Sequence, residues 1–310
     1  MAGGRIVVVG SSNTDMVVKT EKIPSRGETV TGGQFVMAAG GKGANQAVAA
    51  ARLGAEVTFV ARTGADMFGD QAVENYRKEG IVTDLILRDP QNHTGVALIL
   101  VDAQGENLIA VASGANHALS PSDVEQAAER IRGADVVMLQ LEIPLDTVRR
   151  AVELAAEAGV PVILDPAPAA PLDDALLARV TYLTPNESEA EGLTGIRVDD
   201  EDSARAAARQ LRDRGARHVI VTMGTKGALI AGPNQTTMVP CHRVEAKDST
   251  AAGDAFNGGL AAALAAGASL DDAVRQASLV AALSVTRMGA QPSLPTRAEL
   301  NRFAETAAGR

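Results

Sequence analysis

The stretch VVMLQLEIPLDTVRRAVELAAEAGVPVIL, residues 136–164, contains a complete strand–helix–strand unit. Val136 to Leu141 reads as a buried strand and Leu145 to Ala158 as a helix stopped by Gly159. Val160 to Leu164 reads as a second strand, running into Asp165-Pro166. Strands joined through a helix lie parallel, because a crossover of that length returns the chain to the same end of the sheet. The alternation extends both ways. Upstream, Arg5 to Val9 is a strand ending at Gly10, Ala44 to Leu53 a helix closed by Gly54, Val57 to Ala61 a strand, and Asp70 to Lys78 a helix ending near Gly80. Ser120-Pro121 opens another helix, with serine as cap and proline in the first turn. Downstream, Val180 to Leu183 is a short strand, Glu201 to Arg214 a helix, and His218 to Met223 a strand ending at Gly224. Ala252 to Ala266 and Leu270 to Thr286 are adjacent helices, with Phe256, Leu260 and Leu264 on one face. The expected class is α/β, a mostly parallel sheet flanked by helices.

Two stretches break this rhythm. Met16 to Val36 and Gly95 to Val111 are strand-like, with turn residues Pro24, Gly27, Gly32-Gly33 and Gln104-Gly105 between the runs. Thr29-Val30-Thr31 and Leu108 to Val111 have β character without intervening helices. They are read as a small β-sheet lid, residues 14–39 and 94–113, on an α/β domain of residues 1–13, 40–93 and 114–310. Its open face could pair with another subunit.

Composition narrows the function. The chain has 310 residues, net charge −9 and 46% hydrophobic content, enough for a core and against disorder or a collagen-like fibre. No apolar run approaches the ~18 residues that span a bilayer, and Met1 to Asp15 is too short in apolar residues for a secretion signal. A cytoplasmic protein with no membrane partner is expected. Cys241 is the only cysteine, and His93, His117, His218 and His242 are too scattered for a zinc motif. The acidic balance argues against a nucleic-acid partner. Aromatic residues are 2% of the chain, without Trp, leaving few platforms for stacking nucleobases.

Four constellations carry chemistry. In Gly40-Gly41-Lys42-Gly43-Ala44-Asn45, glycines before a helix let backbone amides approach an oxygen-rich ligand, and Lys42 and Asn45 add donors for polyhydroxylated molecules. A glycine-rich turn that merely caps a helix is the competing reading. In Asp248-Ser249-Thr250-Ala251-Ala252-Gly253-Asp254, small residues leave amides at a helix N-terminus open to a phosphoryl group. Asp254 is either a general base or an acid that complements the helix dipole. Asn186 and Glu189, three apart at a helix start, suit Mg²⁺ held through water, or are only a solvated first turn. Thr222-Met223-Gly224-Thr225-Lys226-Gly227 could hold nucleotide phosphates or form a plain hairpin. Asp15 and Glu142 each follow a strand and could accept hydrogen bonds from sugar hydroxyls, or are surface caps, the commoner role for isolated acids.

Further pieces complete the pattern: Gly10 through Asp15, Pro24 through Val30, Thr94-Gly95-Val96-Ala97, Gly114-Ala115-Asn116, Asp165-Pro166-Ala167-Pro168, Thr184 through Glu187, Ala255 through Gly258, and Thr286 through Ser293. In this order the chain resembles the ribokinase-like (phosphofructokinase-B-type) carbohydrate kinase family over nearly its whole length. The resemblance implies a Rossmann-like domain with a β lid, homodimers joined through lid sheets, and ATP-dependent phosphorylation of D-ribose at O5. It implies ribose contacts from Asn13, Asp15, Gly41, Lys42, Asn45 and Glu142, with Asp254 as catalytic base and Ala251, Ala252 and Gly253 as anion hole. Nucleotide contacts would come from Asn186, Thr222, Gly224, Thr225, Lys226, Gly227, Gly253 and Ser278, though relatives often carry Asn or His at the last position. Asn186 and Glu189 match a Mg²⁺ motif. Asp248, Thr250, Ser284, Arg287, Gly289 and Ser293 match a loop that holds an activating monovalent cation, normally K⁺; Met288 replaces a basic residue there. A kinase for 2-deoxyribose, another pentose or a nucleoside, and a non-catalytic sugar-binding protein on the same scaffold, are the competing expectations.

Overall fold

The computed structural model describes residues 3–308. Thirteen strands form two sheets among these residues. They are β1 (Arg5–Val9), β2 (Asn13–Lys19), β3 (Gln34–Gly40), β4 (Glu56–Gly64), β5 (Ile86–Asp89), β6 (Gly95–Val101), β7 (Asn107–Ala112), β8 (Val136–Leu139), β9 (Val162–Leu164), β10 (Tyr182–Leu183), β11 (His218–Thr222), β12 (Ala228–Ala231) and β13 (Thr236–Val239). The helices are α1 (Lys42–Arg52), α2 (Met67–Lys78), α3 (Pro121–Gln126), α4 (Ala128–Arg132), α5 (Leu145–Glu157), α6 (Asp174–Leu177), α7 (Glu187–Thr194), α8 (Glu201–Asp213), α9 (Ala252–Ala265), α10 (Leu270–Ser284) and α11 (Arg297–Ala308).

The large sheet has the order β13-β12-β11-β10-β9-β8-β1-β4-β5. It is parallel from β11 to β5, and β12 and β13 run antiparallel at one edge. β1 explains why the sheet is covered on both faces. Val7 and Val9 point into one apolar core, beneath α5 and α8, while Ile6 and Val8 point into the other, with Val48 of α1 and Leu260 of α9. A strand apolar at every position can be satisfied only by helices on both sides. No helix among the described residues is long and apolar enough to cross a membrane.

The second sheet has the order β3-β2-β6-β7, with β2 and β6 parallel and the other pairs antiparallel. At its root Asn13 pairs with both Gly40 and Gly95. It therefore springs from the end of β1 and returns into α1. Thr29-Val30-Thr31 is not a strand: it lies in the irregular link between β2 and β3 and finds no neighbour to pair with. β5, β13, α6 and α11 are additions to the sequence reading, and Val136 to Leu141 and Val160 to Leu164 are shorter as strands than expected.

Candidate active site

In a parallel sheet, ligands bind where the strands end and the connecting loops diverge. Along that edge, neighbouring strands present Thr222 at the end of β11, Asn186 after β10, Asp165 after β9, Glu142 after β8 and Ser11 after β1. An isolated bridge pairs Asn186 with Thr222. Residues from distant parts of the chain thus share one rim.

Asp254 sits in the first turn of α9 and is 5% exposed. Asn45 Nδ2 donates to its Oδ2 at 2.8 Å, and Gln46 Nε2 donates to its Oδ1 at 3.1 Å. Burial raises its pKa to about 6, against the pull of Lys42 and of these two amides. A carboxylate with that pKa is a better proton acceptor than a solvated one and is still ionised at neutral pH. The reading of Asp254 as a mere helix-dipole acid does not account for a burial this complete.

The start of α9 is built to leave amides free. Ala251 precedes the helix at φ 58 and contributes no capping side chain. A left-handed non-glycine residue costs on the order of 1–3 kcal/mol and collects at functional sites. Ala252 N–H is taken by the Ser249 carbonyl at 3.1 Å, and Ala255 N–H by the Ala251 carbonyl at 2.8 Å. Between them, the amides of Gly253 and Asp254 are first-turn groups with no intrahelical acceptor.

The glycine loop before α1 works differently from the sequence expectation. The amides of Lys42, Gly43 and Ala44 already have acceptors. Lys42 N–H donates to Glu142 Oε2 at 3.0 Å, Gly43 N–H to Ser11 Oγ at 3.3 Å, and Ala44 N–H to the Ser11 carbonyl at 2.9 Å. The glycines are needed for close approach. Gly41 has φ 90, and a Cβ there would lie 2.8 Å from Asn13 N. The loop thereby locks the start of α1 onto the β1–β2 connection, which fixes Lys42, Asn45, Asn13 and Asp15 relative to one another.

The expected sugar-side residues do converge. Burial first, then Glu142 and Asp254, raise Asp15 to about 6. Burial alone would lower Lys42, but Asp254, Asp165, Glu142 and Glu189 around it raise it further. Ser11 Oγ donates to Glu142 at 2.5 Å. Asn116 accepts from Ser12 N–H at 2.8 Å and donates to Asn13 Oδ1 at 2.7 Å, so the Asn13 carboxamide has a set orientation. A cavity of about 430 Å³ reaches Asn13, Asn116 and Glu142. Asp254, Asp15 and Lys42 are not in its lining, so it is a chamber beside the carboxylate cluster.

On the other flank, Asn186 caps α7 and pairs reciprocally with Glu189 through a capping box, with Asn186 N–H to Glu189 Oε2 and Glu189 N–H to Asn186 Oδ1 both at 2.9 Å. Burial raises the Glu189 pKa, opposed by these bonds and Lys42. Residues 224–226 form a single 3-10 turn between β11 and β12, so the hairpin exists and carries the Thr222 to Gly227 motif at its tip. Lys226 Nζ there donates to the Asp199 carbonyl at 2.5 Å. Ser278 is buried in α10, 8% exposed. Asp248 ties the proposed cation loop together: it accepts from Thr250 N–H at 2.9 Å and from Gly289 N–H at 2.7 Å. Ser284 and Ser293 are buried and bond to local carbonyls, and Arg287 pairs with Glu299 at 2.8 Å. Among the described residues, no three His, Cys, Asp or Glu side chains converge as a metal centre by themselves.

Several buried polar residues belong to the cluster although the sequence analysis gives them no role: Gln46, Gln140 and Asp165, along with Ser11 and Asn116. A polar residue inside an apolar run such as Val136 to Leu141 is itself a signal, since burial of an amide requires partners.

Comparison with known proteins shows the family. A family model described as pfkB family carbohydrate kinase matches residues 4–297. A ribokinase of Haemophilus influenzae is 45% identical over 302 residues, covering 97% of this chain and 99% of the relative. A deoxyribokinase of Salmonella typhi is 42% identical, covering 96% and 98%. The structure of an Arabidopsis thaliana ribokinase complexed with ribose and ATP superposes with TM-score 0.90 at 32% identity, covering 98% of this chain and 99% of that one. With a family match over nearly the whole length and a relative 45% identical, the chain belongs to the pfkB family of carbohydrate kinases.

Proposed function

We propose that this kinase is a ribokinase, transferring the γ-phosphoryl group of ATP to O5 of D-ribose and giving D-ribose 5-phosphate and ADP. The observation that carries the reading is the Asp254 carboxylate, buried and held by Asn45 and Gln46 beside the free Gly253 and Asp254 amides. Asn13, Asp15, Lys42, Asn45 and Glu142 would bind the sugar hydroxyls. The O5 oxygen attacks the γ-phosphorus, its proton passes to Asp254, and the bond to the β-phosphate oxygen breaks. Negative charge developing on the γ-phosphoryl oxygens faces the start of α9. The Arabidopsis ribokinase complex with ribose and ATP supports the same pair of substrates here.

A 2-deoxyribose kinase is the second reading, favoured by the Salmonella deoxyribokinase at 42% identity. Asn13 argues for ribose, because its oriented carboxamide can bond a 2-hydroxyl. Losing such a bond costs about 1–3 kcal/mol, hence on the order of 10–100-fold in discrimination. The test is ATP consumption with ribose, 2-deoxyribose, fructose and adenosine side by side. Equal kcat/KM for ribose and deoxyribose removes the ribose assignment, and turnover with none of the four removes the kinase reading.

Two ions fit the residues present. Four carboxylates, Asp254, Asp165, Glu142 and Glu189, act on Lys42, a surplus of negative charge that a divalent cation would relieve. Asn186 and Glu189 would hold Mg²⁺ through water, and the ion would neutralise charge on the phosphates. The Asp248 bonds draw residues 248–250 and 289 together just ahead of Ala251. A K⁺ ion on that loop would steady the amides before reaction. Raising K⁺ at fixed ionic strength is therefore expected to increase kcat several-fold. Equal rates in K⁺, Na⁺ and a bulky organic cation count against the loop.

Residues 14–39 and 94–113 are proposed as a lid over the sugar. Its outer face is apolar: Phe35, Leu98 and Leu108 are 62%, 56% and 54% exposed, and the alternation along β2, β3, β6 and β7 sets them on the face opposite Asp15. A patch of that kind on an edge-exposed sheet suits burial against a second copy.

A further inference from the structure

We propose that Gln46 is the positioning residue for the Asp254 carboxylate, locked in turn by Gln140, so that the orientation of the base is set from α1 and the end of β8. The inference rests on the reading of Asp254 as the base and extends it to residues that touch neither substrate. Gln46, Gln140, Asp165 and Asp254 are each 5% exposed or less. Gln46 Nε2 carries two hydrogens and divides them between Asp254 Oδ1 at 3.1 Å and Asp165 Oδ2 at 2.7 Å. Its Oε1 accepts from Gln140 Nε2 at 2.6 Å. These three bonds use both donors and one of the two acceptor positions of the group. A flipped carboxamide would set its oxygen against two carboxylates and its NH₂ against the Gln140 NH₂. The two acids, which accept from Nε2, and Gln140, which donates to Oε1, together select which end of Gln46 meets the acids. Asn45 holds the other oxygen of Asp254, so the carboxylate plane is fixed at both oxygens by consecutive residues of one helix. Gln140 is itself wedged against the chain at Gly10, where a Cβ would come within 2.1 Å of its Oε1.

Gln46 also decides how the acids coexist. Asp254 faces Lys42 from α1, Glu142 from beyond β8, Asp165 from the end of β9 and Asp15 from β2, and Glu189 of α7 acts on the same lysine and on Asp165. Burial, with Glu189 and Asp254 nearby, pushes Asp165 well above the usual carboxylate range, and whenever both acids are ionised they would repel without the shared NH₂ between them. Removing that donor, with every charged group left in place, must favour the protonated form of Asp254.

The experiment compares Gln46→Met, Gln140→Met and Asp254→Asn with the parent by thermal melting, by separate kcat and sugar KM, and by kcat/KM from pH 5 to 8. Gln46→Met is expected to move the acid limb upward by half a pH unit or more. Its kcat at pH 6 should fall at least fivefold, with KM changed less than twofold. Gln140→Met should act in the same direction with smaller size, and it decides the matter if Gln46→Met does not fold. An unmoved acid limb and a parental kcat in the folded glutamine variant, with Asp254→Asn inactive, overturn the positioning role alone. A fully active Asp254→Asn overturns the base assignment and this inference with it.

Discussion

Asp254→Asn is expected to fold, to bind sugar and nucleotide, and to lose about 10²–10⁴ in kcat, the usual contribution of a general base. Asparagine keeps the volume and one acceptor for Asn45 or Gln46, but its amide cannot take the O5 proton. The stability change separates lost chemistry from lost structure. Burial raises the Asp254 pKa from 3.8 to about 6, so its contribution to stability is present at acid pH and is lost as pH rises through 6. Above that, the charged form costs roughly 3 kcal/mol. The substitution removes this cost and leaves one donor without an acceptor, a penalty of about 1–3 kcal/mol. The two nearly cancel at pH 7.5, whereas at pH 5, between the unfolded and folded pKa values, only about half of the cost (~1.6 kcal/mol) is present and the penalty weighs more. The Tm of the variant relative to the parent should accordingly be higher at pH 7.5 than at pH 5. A kcat within tenfold of the parent would falsify the base assignment.

The sequence made the central sheet legible where apolar residues run without alternation. Ile6 to Val9 is apolar at every position because both faces of β1 are covered, and no other element explains such a run so briefly. β5 and β13 escaped because Ile86–Asp89 and Thr236–Val239 are short and mixed, and only their neighbours make them strands. Thr29-Val30-Thr31 erred the other way, since β-branched residues are strand-like only with a partner. In the site, Asp254 and Asn45 stood out beside glycines at helix starts. Gln46 lies in an alanine-rich helix and Gln140 in a strand end, and nothing local says that they meet. Their role is a long-range pairing, |i−j| of 94 for this pair. The glycine loop stood out in the sequence, but a count of donors does not reveal that Ser11 and Glu142 already accept from the amides of Lys42, Gly43 and Ala44.

That internal bonding makes Gly43→Ala a damaging small change at this site. Gly43 lies in the first turn of α1 without a positive φ, so alanine could adopt its backbone. Helix propensity alone would then favour alanine by about 1 kcal/mol. Space decides against it. A Cβ would stand 2.5 Å from Ser11 N and 2.7 Å from both Gly10 Cα and C, all backbone atoms that cannot rotate aside. Overpacking of this kind costs about 1–3 kcal/mol and more when the backbone must move, so the net loss should reach about 2 kcal/mol and lower Tm by several degrees. Relief requires α1 to retreat from the end of β1, carrying Asn45 and Gln46 away from Asp254. Misplacement by about 1 Å can cost on the order of 100-fold in rate, and kcat/KM is expected to fall by at least that. Gly253→Ala is the contrasting variant. A Cβ there meets nothing within 4 Å in the protein, so it should melt at or above the parent temperature. Its methyl sits beside the free amides at the start of α9 and should still reduce kcat/KM tenfold or more. Parental Tm and activity in Gly43→Ala would mean that the loop does not fasten α1 to β1 and that some other contact aligns the two amides with the carboxylate.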